Sequence, residues 1–180
     1  MRLECQNLQT ISNTSVELNQ SGILIEGCQF CNSNISLTNN RQSGVYAKIA
    51  NSVFGNSTAD ALIRIEHYPS YSIENCTLNY SQGSGIDIYY CGWRNGKVNI
   101  TGNSIQKSGS SQDLSWGIRI YGSFAAIENN LITNNRYGIS CLNQSQVRIS
   151  GNPDAQQPGQ TQRIINNFQN QIRVSDNSFP

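Results

Sequence analysis

The stretch Ile127-Glu128-Asn129-Asn130-Leu131-Ile132 decides the reading of the chain, because its form recurs along the whole sequence. The phrase is Ile, any residue, Gly or Asn, then Asn, Cys or Ser, any residue, and a closing Ile, Phe or Leu. It returns as Ile25 to Phe30, Ile49 to Phe54, Ile73 to Leu78 and Ile100 to Ile105. Weaker copies start at Ile149 and run from Val174 to Phe179, and a degenerate one runs from Leu3 to Leu8. Successive starts are 22, 24, 24, 27, 27, 22 and 25 residues apart. A period of this size marks an array of one repeated structural unit.

A second phrase lies between the copies. It reads Ile86-Asp87-Ile88, Ile118-Arg119-Ile120 and Ile139-Ser140-Cys141, usually after a Gly, with relatives Ile63-Arg64-Ile65, Ile35-Ser36-Leu37 and Val16-Glu17-Leu18. Both phrases alternate apolar and polar residues, and the apolar members are largely β-branched, which is the strand period. Each repeat therefore holds three short strands. The first ends at the opening Ile, and a tight corner follows at Gly27, Asn51, Asn75, Gly102, Asn129, Gly151 or Asp176. These residue types enter left-handed backbone angles cheaply. One coil buries five or six side chains at roughly 1.5 to 3 kcal/mol each, too little against the cost of fixing its backbone. Stacking resolves this, since parallel strands about 4.8 Å apart share one apolar column. Asn103, Asn130, Asn152 and Asn177 fall in one inward column that can run as an amide ladder. The expected fold is an all-β, right-handed parallel β-helix, a solenoid of seven to eight coils of 22–27 residues with three strands per coil. Residues 1–180 form a single segment of it, read as cut from a longer protein because Met1-Arg2 and Phe179-Pro180 both lie inside patterned sequence.

The composition narrows the partners. Of 180 residues 37% are hydrophobic and 13% charged, and 12 basic side chains balance 11 acidic ones. Nucleic-acid binding needs clustered Lys and Arg, which this balance lacks. No apolar run reaches the roughly 20 residues of a membrane-spanning helix. A mean hydropathy of −0.45 with so little charge means that neutral Asn, Ser, Gln and Thr supply the polarity.

The run Ile127 to Ile132 followed by Tyr137-Gly138-Ile139 resembles the repeats of right-handed parallel β-helix proteins of the pectate-lyase-like superfamily, and the resemblance covers essentially the whole chain. It implies an extracellular or cell-surface protein whose sheet groove binds polysaccharide. A leucine-rich repeat, the competing solenoid of similar period, would need a helical side that the pattern does not supply. The superfamily includes lyases and hydrolases, but their motifs are incomplete here. Gly-His-Gly and Arg-Ile-Lys are missing, and Gly117-Ile118-Arg119-Ile120 is a partial echo.

In-register stacking places Arg64, Asp87 and Arg119 in one outward row of the third strand, and Glu66, Tyr89 and Tyr121 in the next. Tyr90, Trp93 and Arg94 follow in the loop, and this is the densest cluster of charge and aromatics in the chain. The longest mid-stack loops, Tyr89 to Lys97 and Gln106 to Trp116, flank it. The candidate sugar face is therefore Arg64, Glu66, Asp87, Tyr89, Tyr90, Trp93, Arg119 and Tyr121. The plainer reading of the same row is an alternating-charge ladder that contributes about 0.2 to 1 kcal/mol per pair. Glu26, Glu74 and Glu128 share another outward column, but Ala50 and Thr101 separate them.

No catalytic residue, cofactor or metal site is expected. Glycoside hydrolysis needs two acids at a set separation, and only Asp87 and Glu66 are near each other. The functional expectation is a carbohydrate-binding, non-catalytic module. The alternatives are a structural or adhesive rod that associates end to end with further copies, and a fragment of a polysaccharide lyase or hydrolase. The lone His67 reads as an ordinary surface histidine, and the Asn-x-Ser/Thr triplets at Asn34, Asn56 and Asn99 are expected by chance in so Asn-rich a chain. Cys28, Cys76 and Cys141 read as buried thiols, whereas Cys5, Cys31 and Cys91 lie near corners where a bridge is open to them.

Overall fold

The computed structural model describes residues 2–4, 10–13, 15–19, 22–40, 44–79, 82–92, 96, 98–106, 116–150, 163–165 and 170–174. Within them the chain forms three sheets of seven strands, and each sheet takes every third strand in order. Every pairing is parallel, so each coil adds one strand to each sheet, as the repeat demands. Leu3, Ile25, Ile49, Ile73, Ile100, Ile127 and Ile149 are consecutive register partners in the first sheet. From Ile25 to Ile127 the side chains of this file are 0% exposed, so it is the spine of the core.

The corners follow the expected chemistry. Gly27, Asn51, Asn75, Gly102 and Asn129 all have φ between 51° and 69°, and Gly151 and Asp176 lie outside the described residues. Past the corner a second column begins. Ile11, Phe30, Phe54, Leu78, Ile105 and Ile132 succeed one another, and the two Phe rings stack with centroids 4.6 Å apart. Beside it the amide ladder is present. Asn103 donates through its backbone N–H and through Nδ2 to Asn130 Oδ1, both at 2.9 Å. Asn103 Oδ1 in turn accepts the Cys76 backbone N–H at 2.9 Å. Asn152 and Asn177 lie outside the described residues.

The terminal copies of the phrase are phased differently from expectation. In the first coil Ile11 occupies the second column, and Leu8 lies outside the described residues. Strands Arg2–Glu4, Thr10–Ser12 and Ser15–Asn19 still make this a full coil. In the seventh coil Ile149 is in place, but the residue in register with the second column is Ile164. Val174 pairs with Cys141 in the third sheet, so it opens no eighth copy. A short apolar alternation fits the first and third strands equally well, and a solenoid tolerates a long excursion between strands because loop closure costs little per added residue.

Cys76 and Cys141 are buried free thiols, and so is Cys91, while Cys31 is free and partly exposed. Cys28 corrects the buried-thiol reading, because it is disulfide-bonded to a partner outside the described residues. That reading weighs Cys28 only against Cys76 two coils away, whereas neighbouring coils bring Cα atoms within bridging range. Cys5 lies outside the described residues.

Burial lifts the thiols of Cys76 and Cys141 to about 11 and that of Cys91 to about 12. An unfolded thiol titrates near 8.5, so above that pH the unfolded chain releases protons that the native chain keeps, and stability falls as pH rises toward the folded values. The three thiols together are expected to lower the free energy of unfolding by about 2 kcal/mol between pH 8 and 9. Urea titrations at the two pH values measure it, and equal midpoints would contradict it.

Candidate functional site

The third sheet carries the face. Its inward file is Val16, Ile35, Ile63, Ile86, Ile118, Ile139 and Ile172, which fixes the residues between them as outward. Arg64, Asp87 and Arg119 are therefore consecutive partners in one row, and Glu66, Tyr89 and Tyr121 in the next. The first row continues through Ser140 to Arg173. These are the neighbours that the spacing implies. Trp93 and Arg94 lie outside the described residues, as do most of the two flanking loops.

Arg119 grips Asp87 with two parallel bonds, Nε to Oδ1 at 3.1 Å and Nη2 to Oδ2. The carboxylate is 0% exposed and the guanidinium side chain 20%. Burial pushes the Asp87 carboxyl above its usual range against the opposing pull of Arg119. Arg64 holds Glu66 through a single oxygen, with Nε at 2.6 Å and Nη2 at 2.5 Å from Oε1. Asp87 and Glu66 are thus each paired with an arginine.

The same guanidinium groups sandwich the aromatics. The Tyr89 ring lies between Arg64 and Arg119, whose Cζ atoms are 4.7 and 5.3 Å from its centroid. Arg119 also sits 4.4 Å from the centre of the Trp116 ring, and Trp116 stacks on Tyr137 at 6.0 Å. Arg136 and Arg173 flank Tyr137 at 5.5 and 5.4 Å. Cation–π contacts of this kind contribute about 0.5 to 1 kcal/mol each at exposed sites and more when desolvated. A continuous ladder of rings and guanidinium groups results. At the adjoining corner Tyr121 meets Tyr89 at 5.6 Å and, edge on, Tyr90 at 5.4 Å. Tyr90 is 39% exposed, the most open ring of the cluster.

Trp116 and Tyr137 do not follow from strict alternation, which counts back from Ile118 and Ile139 and turns both inward. The ladder pairs Trp116 with Tyr137 and Ile118 with Ile139, with no pair between Gly117 and Gly138. Gly117 takes the inward slot instead, where a Cβ would come within 2.5 Å of Ile132 Cγ2. In the coil of Ala61–Glu66 the same break leaves Leu62 and Ile63 both fully buried. The glycine before each Gly-Ile phrase is the signal that could have found them. His67 also belongs to the cluster. Its backbone is left-handed (φ 59°), as is that of Tyr90 (φ 50°), and the two rings stack at 5.5 Å.

Elsewhere the faces are plainer. Glu26, Ala50, Glu74, Thr101 and Glu128 form the expected interrupted column of the first sheet, with Glu74 bound to Lys48 at 2.9 Å. Among the described residues no three His, Cys, Asp or Glu side chains gather as a metal site, and no helix is long and apolar enough to cross a membrane. The chain matches no family model, and neither curated proteins nor solved structures give a significant match.

Proposed function

We propose that this chain is a non-catalytic parallel β-helix module of the pectate-lyase-like kind that binds a polysaccharide along the outward face of its third sheet. The observation that carries the reading is the cluster of Tyr90, Tyr121 and Tyr89 on that face, backed by the buried rings of Trp116 and Tyr137, with Arg64 and Arg119 packed on Tyr89 and Arg119 on Trp116. Rigid rings on a paired sheet lose little entropy on contact with a pyranose, and guanidinium groups donate to hydroxyl oxygens. Asp87 and Glu66 are each engaged by an arginine, which supports a face that binds rather than one that transfers protons. The disulfide at Cys28 supports an extracellular or cell-surface location, where such bonds persist.

Binding to an array of immobilised plant, microbial and animal polysaccharides tests the proposal. Tyr90→Ala and Tyr121→Ala are each expected to weaken binding by about tenfold with unchanged unfolding midpoints. A wild-type chain that binds none of the polysaccharides would overturn the reading.

A further inference from the structure

A recess of about 450 Å³ opens beside the face, and its lining among the described residues includes Thr58, Asp60, Gln82, Ser84, Trp116 and Arg119. Its floor is built by close stacking of two coils. Ser84 N–H donates to the Asp60 carbonyl at 2.7 Å, and a Cβ on Gly83 would fall within 2.0 Å of that same oxygen, so only glycine leaves the walls this near. The volume is in the range of small-ligand pockets. Its polar groups differ in kind: a hydroxyl on Thr58, an amide on Gln82, a carboxylate on Asp60 and a guanidinium on Arg119. Trp116 adds an apolar wall, and its buried Nε1–H has no acceptor among the described residues.

Donors and acceptors of mixed type around one apolar wall are what a polyhydroxylated ring requires, since each hydroxyl both gives and takes a hydrogen bond. The charge selects further. Arg119 is already committed to Asp87, and Asp60 forms no ion pair among the described residues. Among the described lining residues Asp60 is thus the charge left without a counter-ion, which disfavours a carboxylate-bearing sugar. Arg119 and Trp116 belong to both the recess and the ladder, so an occupant of the recess touches whatever lies along the face. We infer that the recess is a binding pocket for one uncharged sugar ring, a side branch or chain end of the polysaccharide on the face. For that polymer the inference rests on the proposed function.

Pocket and face are separable by experiment. The chain has two tryptophans, so its ¹H–¹⁵N spectrum carries two indole resonances, and Trp116→Phe assigns one of them. The full chain is titrated with free neutral hexoses and pentoses and with the corresponding uronic acids. At least one neutral sugar is expected to move the Trp116 resonance saturably, more strongly than its uronic acid. Asp60→Ala is expected to weaken that response by about tenfold, as is Gln82→Phe, which blocks the recess. Both positions are exposed, and an unchanged unfolding midpoint confirms that the variants fold. If no sugar moves the resonance, if uronic acids do so as strongly, or if Gln82→Phe leaves the response intact, the pocket is refuted, whether or not the array detects a polymer. A Trp116 response without any polymer binding would keep the pocket for a free sugar and remove the face from its role.

Discussion

Replacing Asn130 by alanine is expected to lower the free energy of unfolding by about 4 kcal/mol, because four hydrogen bonds lose a partner where water cannot follow. Asn130 is 0% exposed. Its Oδ1 accepts from the backbone and side-chain nitrogens of Asn103, and its Nδ2 donates to the carbonyls of Ile100 at 2.8 Å and Glu128 at 3.0 Å. Each orphaned group in a dry interior costs about 1 to 3 kcal/mol, and partial relaxation keeps the total below the sum. Asn130→Asp is no remedy, since it keeps the acceptor and loses both donations. Asn99→Ala, exposed on the neighbouring coil, is the control and should stay within about 0.5 kcal/mol of the parent. Urea unfolding measures both, and a cost below about 1 kcal/mol for Asn130→Ala would show that the amide ladder is dispensable.

The ladder also shows how far the sequence reaches. Asn103 and Asn130 can be paired on paper because each follows a left-handed corner at a fixed offset, and stacking then brings their amides together. The rows Arg64–Asp87–Arg119 and Glu66–Tyr89–Tyr121 are legible for the same reason, since an Ile file at 0% exposure fixes the parity of everything between its members. Parity fails where the backbone is irregular. Trp116 and Tyr137 stand one step beyond a glycine that occupies the inward slot, so counting by twos turns them the wrong way. The stacking of His67 on Tyr90 escapes the count through a different cause, because a left-handed corner redirects a side chain in a way that no alternation rule describes. The second strand of the seventh coil, at Arg163–Ile165, is out of reach because the length of an excursion leaves no mark on the strands it joins. Composition cannot tell which faces of an aromatic ring are already taken. Tyr89 already carries an arginine from each neighbouring coil against its ring, so Tyr90 and Tyr121 are the rings to mutate first.

Arg119→Ala is expected to destabilise the chain by about 4 kcal/mol at pH 7, whereas the double variant Asp87→Leu with Arg119→Met should lie within about 1 kcal/mol of the parent. A buried pair replaced by apolar groups of similar volume leaves no stranded charge, and a pair broken on one side does. The two single changes differ because exposure differs. Asp87 is 0% exposed and Arg119 20%, so removing the arginine strands a dry carboxylate, and removing the acid leaves a cation that still reaches water. Asp87→Asn should therefore cost less, about 1 to 2 kcal/mol. Without its partner Asp87 must take up a proton to stay buried, which raises its folded pKa further. A carboxyl with a raised folded pKa contributes stability that is present below the unfolded value near 3.9 and is lost as pH rises through the folded one. The penalty of Arg119→Ala is thus expected to shrink as pH falls from 7 toward about 4.5. Urea midpoints of parent and variant at the two pH values decide it. An equal penalty at both would mean that the arginine acts through its packing on Trp116 and Tyr89, and that the buried ion pair is not what holds the row together.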